Sequence, residues 1–127
     1  MTNHKETPYS ALKRVFHEPS RMAIMTALCG AEEGLAFGEI KAQCALTDGN
    51  LNRHLKALAD VGAVRAVKES GATRSRTLIT ITDTGREHFV DYLRALEDVL
   101  RRTAETLATE ESIVKTPLLW HVPATVE

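Results

Sequence analysis

The run Leu46-Thr47-Asp48-Gly49-Asn50-Leu51-Asn52-Arg53-His54-Leu55-Lys56-Ala57-Leu58 constrains the fold of this 127-residue chain more than any other stretch. Its spacing predicts a short helix with Leu51, Leu55 and Leu58 on an apolar face and Asn50, Asn52, Arg53 and Lys56 on a polar, partly basic one. Thr47 suits the cap, because its hydroxyl oxygen can accept a backbone N–H left over in the first turn. Leu46 before the cap and Leu51 inside the helix fit a hydrophobic staple, which fixes how the chain enters. Amide and guanidinium groups on the outward front of a capped helix suit the reading of base edges. In the major groove Asn grips adenine and Arg guanine, each by two hydrogen bonds. An ordinary amphipathic helix shows the same pattern, so the surroundings of the run decide between the two.

With 26% charged and 43% hydrophobic residues the composition is globular, and the length suits a single domain spanning 1–127. Its core is expected over about residues 10–107, followed by an apolar tail, 108–127. No apolar run approaches the roughly 20 residues a bilayer span needs, and the N-terminus lacks the apolar centre of a secretory signal. A soluble cytoplasmic chain without membrane contact is therefore expected. The net charge of −1 is unevenly spread. Residues 1–46 are neutral, residues 47–76 carry six basic against three acidic side chains, and residues 77–127 carry five against nine. The cationic middle contains the candidate reading helix, as a localised phosphate-contacting surface would require; uneven solvated faces are the plainer alternative.

Cys29 and Cys44 form no CxxC pair and have no His at ligand spacing, so two buried, reduced thiols are expected. No metal site or cofactor is expected. The other histidines (His4, His17, His88, His121) show no metal spacing, and His17 beside Glu18 and near Arg21 reads as a helix-end hydrogen-bonding group. An enzyme is not expected either: no nucleophile–base pair, phosphate-cradling Gly-rich loop or carboxylate cluster is recognisable.

Along the chain, Leu12, Val15 and Phe16 mark a short helix that must stop before Pro19. Glu18 or Ser20 opens a second helix with Met22, Ile24, Met25, Ala27 and Leu28 apolar and Gly30 as its stop. A turn at Glu32-Glu33-Gly34 leads to a very short strand at Leu35-Ala36-Phe37, then a poorly capped third helix ending at Cys44. After the Thr47 helix the period changes. Residues 63–68 and 77–82 read as two strands, joined by the basic tip Glu69-Ser70-Gly71-Ala72-Thr73-Arg74-Ser75-Arg76. Thr82 or Thr84 then caps a long helix to Leu107, with Asp83 at the positive end of its dipole. Phe89, Leu93, Leu96, Leu100, Thr103 and Leu107 are spaced alternately four and three apart, a heptad rhythm. At about 37 Å this helix is longer than so small a globule needs to cover its own core. The tail, with Val114, Leu118, Leu119, Trp120 and Val122, is too apolar for a pure linker, and docking or disorder both remain open.

This order describes a mainly α-helical fold with a small β-hairpin (α+β): a winged helix-turn-helix with a long C-terminal dimerisation helix. The chain resembles the winged-helix transcriptional regulators of the MarR and ArsR groups. The likeness is carried by Val15-Phe16-His17-Glu18-Pro19-Ser20-Arg21, by Leu46-Thr47-Asp48-Gly49-Asn50-Leu51-Asn52-Arg53-His54-Leu55, by Leu58-Ala59-Asp60-Val61-Gly62-Ala63-Val64, and by Ile81-Thr82-Asp83-Thr84-Gly85. It covers about residues 10–100. The resemblance implies a homodimer on operator DNA, a recognition helix over residues 48–58, a wing over residues 67–77, and a dimer interface from residues 12–16 and 89–107. Metal-sensing relatives carry Cys or His clusters that this chain lacks, and the tail is outside the family pattern.

The expected DNA contacts are therefore Thr47, Gly49, Asn50, Asn52, Arg53, Lys56, Arg74, Ser75 and Arg76. Arg53 is the first candidate for a base contact, with Asn50 and Asn52 beside it; Lys56 reads as a phosphate contact. Gly49 would let backbone approach a phosphate closely. His54 points between the two faces and reads as a packed or bridging group rather than a ligand. The dimer contacts are expected from Leu12, Phe16, Phe89, Leu93, Leu96 and Leu100. The partners are thus double-stranded DNA and a second copy of the chain; no small-molecule effector is specified. Two rivals stand beside this reading: a winged helix kept as a protein-interaction module without DNA binding, and a ligand- or redox-gated regulator switched through Cys29 or Cys44.

Overall fold

A computed structural model describes residues 13–69 and 76–108. The expectations for Leu12, Arg74, Ser75, His4, His121 and the tail beyond 108 lie outside them. The chain divides into two compact units, Met1–Tyr92 and Leu93–Glu127.

In the first unit, residues 13–16 are helical and His17 leaves the helix ahead of Pro19. Helix α1 (Pro19–Cys29) is capped by Glu18, whose carboxylate accepts the Arg21 N–H at 2.9 Å, and Pro19 sits where its missing N–H costs nothing. The α1 residues Ile24, Met25 and Leu28 are buried. Gly34, at φ +96, turns the chain into β1 (Leu35–Ala36). An added Cβ there would stand 2.7 Å from the Ile79 carbonyl oxygen, so both the conformation and the close approach require glycine.

Helix α2 (Phe37–Cys44) starts without a side-chain cap from Ala36, as its sequence implies. Glu39 compensates by accepting the Ala36 N–H at 2.7 Å. Ala45, in the left-handed region at φ 55, makes the tight corner into α3 (Asp48–Asp60). Thr47 caps α3 by accepting the Asn50 N–H at 3.2 Å. Leu51, His54 and Leu58 form its buried side.

Strands β2 (Val64–Glu69) and β3 (Arg76–Ile81) pair antiparallel from Val64↔Ile81 to Glu69↔Arg76. Beyond the expected two-stranded ribbon, β1 joins the other edge of β3 through Leu35↔Ile79, giving the order β1-β3-β2. The sheet thus ties the start of the α2–α3 pair to the wing. Helix α4 (Asp83–Leu107) is capped by Thr82, whose oxygen accepts the Gly85 N–H at 2.8 Å.

The core joins Ile40, Leu51, Leu58, Val64 and Leu78 to the α1 side chains and to an aromatic cluster. Phe16 meets Phe89 edge-on, centroids 5.1 Å apart at 72°, and Tyr92 lies 5.9 Å from Phe16. This corrects the expectation that Phe16 and Phe89 face a second copy. They are 0% and 1% exposed, buried within the chain itself, because each completes the other's apolar surroundings. His17 ends the first helical segment and hydrogen-bonds there, as expected: its N–H reaches the Arg14 carbonyl at 3.1 Å, and its Nδ1 lies 2.6 Å from the Tyr92 hydroxyl.

In the second unit, Leu93, Val99, Leu100 and Leu107 are exposed and Leu96 is half-buried. Arg101 and Arg102 form ion pairs with Glu97 and Asp98 on the same helix. This stretch has an apolar stripe and a charged one, as its heptad rhythm implies.

Candidate nucleic-acid interface

Burial of Leu51, His54 and Leu58 fixes which way α3 is rotated, and that rotation places Asn50, Asn52, Arg53 and Lys56 outside. Thr47 and Gly49 are exposed at the helix start, and nothing lies within 4 Å of where a Gly49 Cβ would stand. All six α3-region candidates are therefore exposed. The backbone N–H groups left over in the first turn lie at the positive end of the helix dipole, an arrangement that favours anions.

The side chains there contact one another. An Arg53 guanidinium nitrogen donates to the Asn50 amide oxygen at 2.9 Å, so the two candidates form one unit. Lys56 reaches Asp60 at 3.5 Å, a loose exposed pair that a phosphate can outcompete. Lys41 bridges to Asp48 at 2.7 Å and ties α2 to the first turn of α3. At the base of the wing, Arg76 donates to Glu69 across the β2–β3 pair at 2.7 Å. Arg65 and Lys68 are exposed on the edge strand β2 and add cationic groups that the residue-by-residue sequence reading left out. The basic count of residues 47–76 already contained them, and only their strand register was missing.

The reading of His54 as a packed or bridging group agrees with the structure, and its partner Arg21 is what sequence reasoning missed. His54 is 4% exposed, and its Nδ1 accepts from Arg21 Nε at 3.2 Å. Burial pushes the His54 imidazole below its ordinary value, and Arg53 and Arg21 push the same way against an opposing pull from Glu18.

Cys29 and Cys44 are half-buried and free, and burial pushes both upward, Cys29 in spite of Arg86. A redox-switching thiol needs the opposite shift. Among the described residues no three His, Cys, Asp or Glu side chains gather as a metal site, and no helix is long and apolar enough to cross a membrane.

A helix-turn-helix with an outward second helix, followed by a three-stranded sheet whose hairpin forms a wing, is the architecture of the winged-helix proteins. The chain belongs to the winged helix DNA-binding domain family, whose model matches residues 20–100. It is 38% identical over 80 residues to an uncharacterised protein of Methanocaldococcus jannaschii, covering 63% of this chain and 86% of that one. The solved transcriptional regulator homologue of Pyrococcus horikoshii is 32% identical and superposes with a TM-score of 0.65, covering 71% of this chain and 88% of that one. The multidrug regulator MepR of S. aureus, solved in complex with DNA, shares the fold with a TM-score of 0.56. It has 17% identity over 81% of this chain and 86% of its own. The fold expected from the resemblance is the one observed: a MepR variant and an ArsR-like regulator of Rhodococcus share it at 16% and 17% identity.

Proposed function

We propose that this protein is a transcriptional regulator that binds a pseudo-palindromic operator as a homodimer in the cytoplasm. The observation that carries the reading is the outward face of α3, where Asn50, Asn52, Arg53 and Lys56 stand exposed on a helix whose rotation is locked by its buried side. In this reading α3 lies in the major groove with the Asn50–Arg53 unit at base edges. Lys56, the Gly49 backbone and the Thr47 end of the helix meet phosphates. Arg76, with Arg74 and Ser75 of the wing, reaches the flanking backbone or minor groove. The DNA complex of the MepR relative supports this use of the fold.

The dimer is proposed to form through the second unit, where Leu93, Leu96 and Leu100 are joined by the exposed Val99 and Leu107. Leucines this exposed along one helix are what a partner helix would cover. Half-sites then lie about one helical turn, roughly 34 Å, or a small multiple of it apart. Selection of bound fragments from genomic DNA, followed by binding titrations across salt, tests the reading. An inverted repeat and an affinity falling steeply with salt are expected. No DNA affinity at low salt, with a protein partner captured in its place, would favour the interaction-module rival.

A further inference from the structure

Behind the reading face, the half-buried side chains of Glu18, the cap of α1, and Arg21, in its first turn, meet the buried His54 of α3. His54 sits between Leu51 and Leu58 on the inner side of α3. Arg21, in the first turn of α1, donates through Nε to His54 Nδ1 at 3.2 Å and through a terminal nitrogen to the Val15 carbonyl at 3.3 Å. Glu18 caps α1 by accepting the Arg21 N–H, and the same carboxylate oxygen stands 3.9 Å from His54 Nδ1. The cluster therefore links the segment that carries Val15 and Phe16, the start of α1, and the reading helix.

The chemistry of the central bond is one-sided. A guanidinium has only donors, so the bond exists only while His54 Nδ1 keeps its lone pair and the ring proton is on Nε2. A second ring proton turns the pair into two donors of like charge facing each other. The charged groups acting on the imidazole are Glu18 and Arg21 from the start of α1 and Arg53 from its own helix, the two arginines opposing protonation and Glu18 favouring it. Protonation thus draws the ring toward Glu18, the group that caps α1, and away from Arg21.

We propose that His54, Arg21 and Glu18 form a positioning device that seats the reading helix only while the imidazole is neutral, so that acid weakens operator binding through His54. The inference rests on the operator reading above and adds a regulation of the same site. Its sign is diagnostic. Protonating exposed histidines adds positive charge and tightens binding to a polyanion. Weakening in acid therefore points to a buried group acting through helix position.

The test measures affinity for the selected operator at constant ionic strength in the full chain and in His54→Asn. The asparagine keeps an acceptor near the Nδ1 position and cannot titrate. Wild type is expected to lose about two- to fivefold in affinity between about pH 7.5 and about pH 5.5, with the loss still growing below that, while the profile of His54→Asn is flat over the same range. Superimposable profiles for the two proteins overturn the inference and leave the operator reading standing; no DNA affinity at any pH overturns both. NMR titration of the wild-type imidazoles gives a readout that needs neither variant nor DNA. The amide signals of α3 are expected to shift together with the His54 ring, and a ring that titrates without moving them overturns the proposal.

Discussion

Replacing Gly85 by alanine should loosen the joint between the wing and the long helix, and the size of the effect follows from the packing. Gly85 lies in the first turn of α4 and is buried directly against the backbone of Ala63. An added Cβ would run into the Ala63 carbonyl oxygen and stand 2.7 Å from its Cα. Carbon atoms settle at about 3.5–4.0 Å, so one of the two segments must give by close to an ångström. Neither is free to do so. Ala63 accepts the Thr82 N–H at 3.0 Å, and the Thr82 oxygen both caps α4 and donates to the Gly62 carbonyl at 2.7 Å. Overpacking of this kind costs about 1–3 kcal/mol, which for a domain of this size lowers Tm by roughly 4–20 °C. Thermal unfolding followed by far-UV circular dichroism, at matched protein concentration, measures it. An unchanged Tm for Gly85→Ala would refute the reasoning.

Gly49 should behave in the opposite way. Nothing lies within 4 Å of its missing Cβ, so Gly49→Ala is expected to leave Tm unchanged or slightly raised while weakening operator binding, as titration with a labelled operator would show. In the second unit, Leu100→Glu is expected to convert the dimer to a monomer without loss of helix content, read by analytical ultracentrifugation and circular dichroism; a persisting dimer would move the interface elsewhere. Stability itself should depend on pH through His54. Its folded-state value is lowered from the ordinary 6.5, so the unfolded chain takes up the proton first as the pH falls. The contribution is complete above about 6.5 and declines through the folded-state value below it. His54→Asn should flatten the Tm profile in that window.

Much of the architecture was legible because its signals are local. The bounds of α2 and α4 follow from periodicity and from Thr82, and Thr47 and Glu18 mark two further helix starts. The strands lie one residue from their expected places. Ala63 and Thr82, apparent strand ends, are joined to each other as the corner that launches α4. The pairing of β1 with β3 and the His54–Arg21 bond join residues far apart in sequence, and no local pattern announces either. Apolar spacing showed that Phe16 and Phe89 needed cover but not whether the cover was internal, and the edge-on contact between them answers that. On the reading face the outward side of α3 followed from its periodicity. The Asn50–Arg53 bond depends on side-chain rotamers that spacing does not specify.

The central claim is that nucleotides are read by the outward side of α3 with Arg53 at a base edge and Lys56 at a phosphate. Affinities of wild type, Arg53→Ala and Lys56→Ala for operators changed at each base pair in turn test it most directly. Arg53→Ala is expected to lose about 1–3 kcal/mol of discrimination at particular base pairs, whereas Lys56→Ala should weaken every sequence alike and reduce the salt slope by about one. Two variants that behave identically, or an Arg53→Ala protein that keeps the full wild-type preference, would contradict the account.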